Sequence, residues 1–318
     1  MEPSRQQQVV GLDVSKAWLD GYAPASGRRF RVRNDPGGIE ELLGSLDAPA
    51  GCLMVLEASG GYERTAHRAL AGRGVPAAIV NPKRVRDFAR GIGLEAKTDR
   101  VDARLIARYG EVMRPAATPL PDPARLELRE ILAGRRQLVD EITVRKQQLE
   151  HLTSPAVRTQ VEKTLAFLRE EAKALLALLR ARIAADAALA ADFALLTSMP
   201  GCGTILAATL LAELPELGRL DRRKVASLAG LAPVARDSGL REHRRVIKGG
   251  RSQVRHALYM AVLASLKTDK SPLKARYAQL TAKGKPPKLA LAALMRKMLV
   301  TLNAMLKAQA SWKDPRPK

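Results

Sequence analysis

Four carboxylates occupy positions from which they can converge. Asp13 follows the apolar run Val9-Val10-Gly11-Leu12, Glu57 follows Cys52-Leu53-Met54-Val55-Leu56, and Asp99 and Asp102 lie three apart in Thr98-Asp99-Arg100-Val101-Asp102. An acid that ends a buried strand is delivered to the strand's tip, and acids at i and i+3 of a helix share one face. Hard oxygen ligands of this kind suit magnesium. Two such ions can activate an attacking oxygen and stabilise a leaving one during phosphodiester cleavage. Taken singly, each acid is better explained as a cap or as a salt-bridge partner of Lys16, Lys97, Arg100 or Arg104. The metal reading rests on all four occurring together, after strand, strand and helix.

A second constellation lies far along the chain. From Arg219 to Arg255 there are eleven basic residues, Arg219, Arg222, Arg223, Lys224, Arg236, Arg241, Arg244, Arg245, Lys248, Arg251 and Arg255, against Asp221, Asp237 and Glu242. A solvated face mixes signs, so this imbalance favours a phosphate-binding surface. Ser238 lies inside it, in Asp237-Ser238-Gly239. Neighbouring cations stabilise an alkoxide and the charge building on a phosphorane, which suits a nucleophile. Ser-Gly turns are nevertheless common, and the residues by themselves favour a turn serine. Upstream, Pro200-Gly201-Cys202-Gly203-Thr204 precedes the apolar run Ile205 to Leu214. It reads as a tight turn feeding a helix N-terminus, where backbone amides can hold a phosphate, although a plain helix start is the simpler reading.

The elements that must position these residues follow from hydrophobic periodicity. Gln8 to Lys16, Trp18 to Ala23 and Arg29 to Arg33 predict three successive strands, and Ile39 to Leu46 a helix after the Asp35-Pro36-Gly37-Gly38 turn. Cys52 to Leu56 is a buried strand, Tyr62 to Ala71 a helix, Ala77 to Val80 a short strand, and Arg84 to Arg114 mainly helix. Strands followed by strand–helix alternation imply a mixed sheet flanked by helices. The Pro-rich stretch Pro115 to Pro123 breaks the pattern. From Ala124 to about Ala190, Leu126, Ile131, Leu138, Ile142, Leu149 and Leu152 mark a helical hairpin or short coiled coil, either a spacer or a dimerisation element. The last third is helical with Gly-rich and basic breaks. Three segments result, 1–117, 118–194 and 195–318, an α/β domain followed by all-α parts.

Bulk properties agree with a nucleic-acid partner. The 318 residues are 46% hydrophobic, enough for real cores, and carry a formal net charge of +22. Arg enrichment in a high-GC genome is the competing explanation of the charge. Aromatics are only 3%, so phosphate contacts rather than base stacking must do most of the holding. No run of about 18 apolar residues occurs and Met1 to Gln8 is polar, so the expectation is a cytoplasmic protein with no membrane contact. Cys52 and Cys202 lack paired spacing and read as small buried hydrophobes, and the four histidines form no ligand pair.

Several motifs, taken in order, resemble a known family. Gly11-Leu12-Asp13-Val14-Ser15-Lys16, Glu57-Ala58-Ser59-Gly60-Gly61-Tyr62-Glu63, Asn81-Pro82-Lys83-Arg84-Val85-Arg86 and Ala96-Lys97-Thr98-Asp99-Arg100-Val101-Asp102-Ala103 are similar to the RuvC-type domain of the DEDD insertion-sequence transposases, the "one-ten" family. Ala229-Gly230-Leu231-Ala232-Pro233-Val234, Asp237-Ser238-Gly239, Ile247-Lys248-Gly249-Gly250-Arg251, Val254 to Met260 and Ala282-Lys283-Gly284-Lys285-Pro286 resemble the C-terminal domain of the same family. The resemblance implies a ribonuclease-H-like domain whose DEDD quartet is Asp13, Glu57, Asp99 and Asp102, binding Mg2+, and a nucleophilic serine at Ser238. It implies a dimer or tetramer, double-stranded DNA as substrate, and a structured bridge RNA as guide, and the Pro200 to Thr204 turn by itself resembles the helix-hairpin-helix turns of DNA-binding proteins. Contacts to nucleic acid are expected from Lys83, Arg84, Arg86, Arg236, Arg241, Arg244, Arg245, Lys248, Arg251 and Arg255.

The resulting expectation is a transposase or site-specific recombinase in which Ser238 attacks the scissile phosphate. A phosphoserine would preserve the bond energy for rejoining, so no ATP is needed. Competing readings are a Holliday-junction nuclease using water on the same quartet, a DNA invertase of the same architecture, and a non-catalytic basic scaffold with a vestigial site.

Overall fold

Successive residues of a strand face opposite sides of the sheet, which decides which side chains meet each core and which meet the site. The computed structural model describes residues 8–94, 102–234, 246–247, 249–268 and 271–313. Strands β1 (Gln8–Val14), β2 (Trp18–Ala23) and β3 (Arg28–Arg33) form an antiparallel meander. Helix α1 (Pro36–Gly44) follows, its N-terminus capped by the Asp35 carboxylate, which accepts from Gly38 N–H at 2.9 Å. Strand β4 (Cys52–Glu57) pairs parallel with β1, helix α2 (Glu63–Ala71) crosses, and β5 (Ala77–Val80) pairs parallel with β4. The five-stranded mixed sheet has the order β3-β2-β1-β4-β5. Helices α3 (Pro82–Gly91) and α4 (Ala103–Met113) complete this unit, which ends at Leu120.

Each sheet face has its own core. Val10, Leu12, Val14, Met54 and Leu56 pack with α1 and α2 on one side. Val9, Leu53, Val55, Ala78 and Val80 pack with Val85 of α3 and with Ile106 and Tyr109 of α4 on the other. By the period of two, Gly11 and Asp13 share the second face with Val9. Both sheet edges are managed. The outer strand β3 is charged, and the β5 edge is covered by Thr118, whose N–H donates to Ala77 O (2.8 Å) and whose hydroxyl accepts from Ile79 N–H (2.9 Å).

Helix α4 lies unusually close to β1, and glycine is the reason. A Cβ on Gly11 would stand 2.2 Å from Ala103 O and 2.4 Å from Ala107 N, and one on Gly110 would stand 2.6 Å from a methyl of Val9. Two bare backbones therefore set the helix down on the strand. We expect Gly11→Ala to destabilise this unit by about 3 kcal/mol, as overpacking against backbone does, and to lift the α4 N-terminus away from Asp13. Chemical denaturation followed by a probe in residues 8–120 measures it, and a wild-type midpoint would refute the close-contact account.

The second unit, Pro121–Lys318, is helical. Helices α5 (Pro123–His151) and α6 (Pro155–Ala185) are joined by three residues and pack as a hairpin, as the Leu-rich pattern predicted. Then come α7 (Ala187–Thr197), α8 (Thr204–Glu213) and α9 (Arg222–Leu228). A two-stranded ribbon follows, β6 (Pro233–Val234) against β7 (Val246–Ile247), before α10 (Ser252–Leu266), α11 (Pro272–Ala282) and α12 (Pro287–Ala308). The segments divided at residue 194 on sequence share one core, in which Leu128, Leu132, Leu179 and Ile183 of the hairpin join Leu206, Leu210, Leu258 and Leu302. Helix α12 is long and apolar enough to cross a membrane by length and composition alone, with a mean hydropathy of 1.5. Its Leu294, Met298, Leu299 and Leu302 are instead buried in that core.

Cys52 and Cys202 are both buried and unbridged, as expected of small hydrophobes. Burial pushes the Cys202 thiol up to about 12, which leaves it inert at neutral pH.

Candidate active site

The parallel register of β1 and β4 sets two acids side by side. Leu12 pairs with Leu56, and Asp13 and Glu57 are the next residue on each strand. Their side chains share the face covered by α4, because Val9, Gly11 and Asp13 alternate with the opposite core as do Leu53, Val55 and Glu57. Electrostatics records the proximity. The Glu57 carboxyl is held above its ordinary 4.5, first by burial and then by the Asp13 charge, with Arg86 opposing. One of its oxygens, Oε2, is buried without a hydrogen-bond partner. A buried carboxylate oxygen left unsatisfied beside a second carboxylate is unfavourable unless a cation completes it.

Asp102 stands at the start of α4. It was expected within a helix, one turn from Asp99 on a shared face, but the helix begins only at Ala103. Asp102 is extended (φ −93°, ψ 162°) and serves as the N-cap, its Oδ1 accepting from Leu105 N–H at 2.9 Å. An aspartate that satisfies a first-turn amide starts a helix, so Asp102 stands just before α4 and not within it. The contact of Ala103 and Ala107 with Gly11 brings this helix start to the strand that carries Asp13. Asp99 lies outside the described residues. Among the described residues no three acids, histidines or cysteines are grouped as a metal site. The fit to a hard cation therefore stands on Glu57 and Asp13.

Two positioning groups escaped the sequence reading. Glu63 is 8% exposed, and one carboxylate oxygen accepts from Ser59 N–H and Gly61 N–H, both at 2.9 Å. It thereby folds the loop that leaves Glu57. Asn34 donates through Nδ2 to Ser15 O (2.9 Å) and Tyr62 O (3.1 Å), tying together the loops that follow Asp13 and Glu57. Glu63 was legible as an acid just past a Ser-Gly-Gly turn. Asn34 had no local signal, since its partners are 19 and 28 residues away.

The basic residues of α3, Lys83, Arg84 and Arg86, are exposed. Asn81 caps that helix by accepting from Lys83 N–H at 2.8 Å, Lys83 pairs with Asp87, and Arg86 is close enough to Glu57 to act on its charge. In the second unit, Ser238, Arg236, Arg241, Arg244, Arg245 and Lys248 lie outside the described residues. The ribbon β6–β7 closes the base of the segment 235–245 that carries Ser238. That base is held by backbone contact. A Cβ on Gly230 (φ +67°) would meet Gly249 O at 2.1 Å, and one on Gly250 (φ +68°) would meet Gly230 N at 2.2 Å. Arg251 grips Glu216 through both guanidinium nitrogens (2.6 and 2.7 Å), and Arg255 donates to Gly249 O (2.6 Å). These two guanidiniums are occupied in building the loop's base.

The raised Glu57 carboxyl carries a pH prediction. As pH climbs from 4.5, the unfolded chain ionises first while the folded protein keeps its proton. Without metal, stability is then lost as pH rises through the folded-state titration of Glu57. Glu57→Gln removes that loss. Urea midpoints of the two proteins against pH, in chelator, test it, and parallel curves would contradict the shift.

Residues 10–154 match the model of the DEDD transposases of IS110, and residues 193–278 that of the transposase IS116/IS110/IS902 family. A pilin gene-inverting protein of Moraxella lacunata is 30% identical over 314 residues, 94% of this chain and 95% of its own. The chain belongs to the IS116/IS110/IS902 transposase family. The pilin gene-inverting protein of Moraxella bovis is 28% identical over the same share of both chains. An uncharacterized 42 kDa protein of insertion element IS900, from Mycobacterium paratuberculosis, is 37% identical over 125 residues, 36% of this chain and 30% of its own. The protein is a DNA transposase or recombinase, and the carboxylates of β1 and β4 lie within the segment matched by the DEDD model.

Proposed function

We propose that the enzyme cuts and rejoins double-stranded DNA with Asp13, Glu57, Asp99 and Asp102 as ligands of two Mg2+ ions and Ser238 as nucleophile. The observation that carries this reading is the unpartnered, buried Glu57 Oε2 beside Asp13 on a strand pair of one sheet face. The sheet order β3-β2-β1-β4-β5, antiparallel then parallel, supports a ribonuclease-H-like fold for the first unit. When bound, the metal polarises the scissile phosphate and offsets charge on the departing oxygen.

The chain's own groups do the rest. Glu57 serves as a ligand in its ionised form, and Glu63 and Asn34 hold the loops that leave Asp13 and Glu57. Ser238 Oγ bonds to phosphorus as the bond from phosphorus to the strand's bridging oxygen breaks. The serine proton is lost and the freed strand hydroxyl gains one. Attack by a second strand end on the phosphoserine reverses these steps and rejoins DNA. Exposed Lys83, Arg84 and Arg86, with Arg236, Arg241, Arg244, Arg245 and Lys248, supply phosphate contacts, while Arg251 and Arg255 shape the loop. A structured bridge RNA selects the sites by pairing, in keeping with a protein of 3% aromatics held to nucleic acid mainly by charge. We place the enzyme in the cytoplasm, as a dimer or tetramer.

The full-length likeness to two pilin gene-inverting proteins favours inversion as a second reading, with the same chemistry acting on inverted sites. Incubation with DNA bearing an interrupted strand tests the proposal. A covalent protein–DNA adduct that survives denaturant and maps to Ser238 is expected. An adduct at another residue, or hydrolysis without adduct, would overturn it. Purification without nuclease should also retain a discrete RNA whose removal abolishes recombination, and full activity without RNA would remove the guide from the scheme.

A further inference from the structure

The sheet of the first unit is covered fully on one face and in part on the other. Strands β2 and β3 turn Leu19, Ala23, Phe30 and Val32 into the core shared with α1 and α2. By the period of two, the residues between them face the side of Asp13. The ladder sets these out in rungs. Asp13 pairs with Asp20 and Asp20 with Arg31, Gly11 with Tyr22 and Tyr22 with Arg29, and Trp18 with Arg33. Helix α4 covers the β1 end of the rungs at Gly11. Towards the other end Trp18 is 38% exposed, and Arg29, Arg31 and Arg33 are exposed.

The side chains of this open half combine aromatic rings with cations. The guanidiniums of Arg31 and Arg33 stand over the Trp18 ring at 5.7 and 5.4 Å, and that of Arg104, from α4, over Tyr22 at 5.1 Å. Such contacts occur about once per 70–80 residues. All those among the described residues lie on this one face, in a chain with only 3% aromatics. Asp20 also pairs with Arg31 at 2.8 Å and Asp35 with Arg33 at 3.4 Å, exposed pairs that give way readily to another anion. Edge protection accounts for arginines on the outer strand, since charge there blocks pairing with another chain. It does not account for an indole left partly open on the neighbouring strand, because so large an apolar ring is ordinarily taken up by a core or a partner.

We propose that this open half-sheet holds unpaired nucleotides of the DNA strand that is cut, one base stacking on Trp18 while the adjoining phosphates meet Arg29, Arg31 and Arg33. An aromatic face ringed by guanidiniums suits a bare base and its phosphates, whereas the bases of a closed duplex are already stacked on one another. The rungs decide which strand it is. Asp20 and Arg31 continue the rung of Asp13, so at about 4.7–4.9 Å between strands Arg31 stands about 10 Å from that proposed metal ligand. At a rise of roughly 3.4 Å, this is about three nucleotides of one strand. Low aromatic content argues against stacking as the general means of holding nucleic acid. The Trp18 face is a local exception, and it selects DNA that is opened beside the scissile phosphate. The inference rests on the proposed function for the place of cutting, but its residues take no part in that chemistry.

The test measures binding by the full chain in chelator, so that no cleavage intervenes. Its probes are a DNA duplex with a short unpaired stretch, the same duplex fully paired, and single-stranded RNA of the unpaired sequence. Trp18→Ala should lower affinity for the opened duplex about tenfold and leave the paired duplex nearly unchanged. Trp18→Phe keeps a ring and should restore most of the loss. Arg31→Gln should weaken the opened duplex too and reduce its salt slope by about 0.7, the single-strand value for one phosphate. A second measurement leaves the site intact. The chain has two tryptophans, and Trp312 packs in the second unit, so Trp312→Phe makes Trp18 the sole indole. Its emission should be quenched by the opened duplex and not by the paired one. Wild-type affinity in Trp18→Ala, equal loss on both duplexes, loss with RNA but not with DNA, or an unquenched indole in the bound protein would each overturn the proposal. Ser238→Ala, added to the Trp312→Phe protein, should leave the quench unchanged. Failure of the catalytic proposal is thus read in cleavage, and failure of this one in affinity and fluorescence.

Discussion

Asp13→Asn lowers strand cleavage on the order of a thousandfold or more, while the protein stays folded and bound to DNA. The reasoning starts from two strands in parallel register that end on adjacent acids. Burial and the Asp13 charge together hold the Glu57 carboxyl high, so the pair is under electrostatic strain in the absence of a cation. Removing one charge relieves that strain, and the chelated variant should have a urea midpoint no lower than wild type. The same change deletes a ligand and one of the four negative charges that attract the metal. Activity and stability thus move in opposite directions, a combination that simple misfolding does not produce. Cleavage by the variant in saturating magnesium, with its urea midpoint measured alongside, decides the matter. Unchanged cleavage would make the acids vestigial, as the scaffold reading expects.

Ser238→Ala is expected to abolish both cleavage and joining, again by on the order of a thousandfold or more, together with any covalent adduct. The two activities fall together because one oxygen forms the bond that cleavage makes and joining breaks. A junction nuclease on the same carboxylates would use water and keep cleavage without Ser238. The double variant with Asp13→Asn should be no worse than either single one, since both act on one step. Gel assays of nicking and strand transfer separate these outcomes. Nicking retained by Ser238→Ala would transfer the nucleophile's role to water.

Much of the first unit was legible because its signals are local. The apolar runs Val9 to Leu12 and Cys52 to Leu56 each report burial within a few residues, and both end where β1 and β4 place their acids. The cap at Asp102 is the opposite case. A propensity for helix across Arg84 to Arg114 could not show that the Asp102 side chain would bond Leu105 N–H and start α4 there. Glu63 and Asn34 were missed because a carboxylate or amide shows its task only when the loops it ties are folded beside it.

Sequence alone determined the kinds of parts: strands that end in carboxylates, a Leu-rich helical pair, a basic window around Ser238, and motifs ordered as in one transposase family. These are consequences of residue type and spacing, which act over one or two turns of chain. Tertiary structure alone decided how the parts meet. Gly11 lets α4 touch β1, the parallel register sets Asp13 beside Glu57, and the hairpin shares a core with the last third of the chain. Contacts between residues tens of positions apart depend on packing geometry, and no local pattern encodes that geometry.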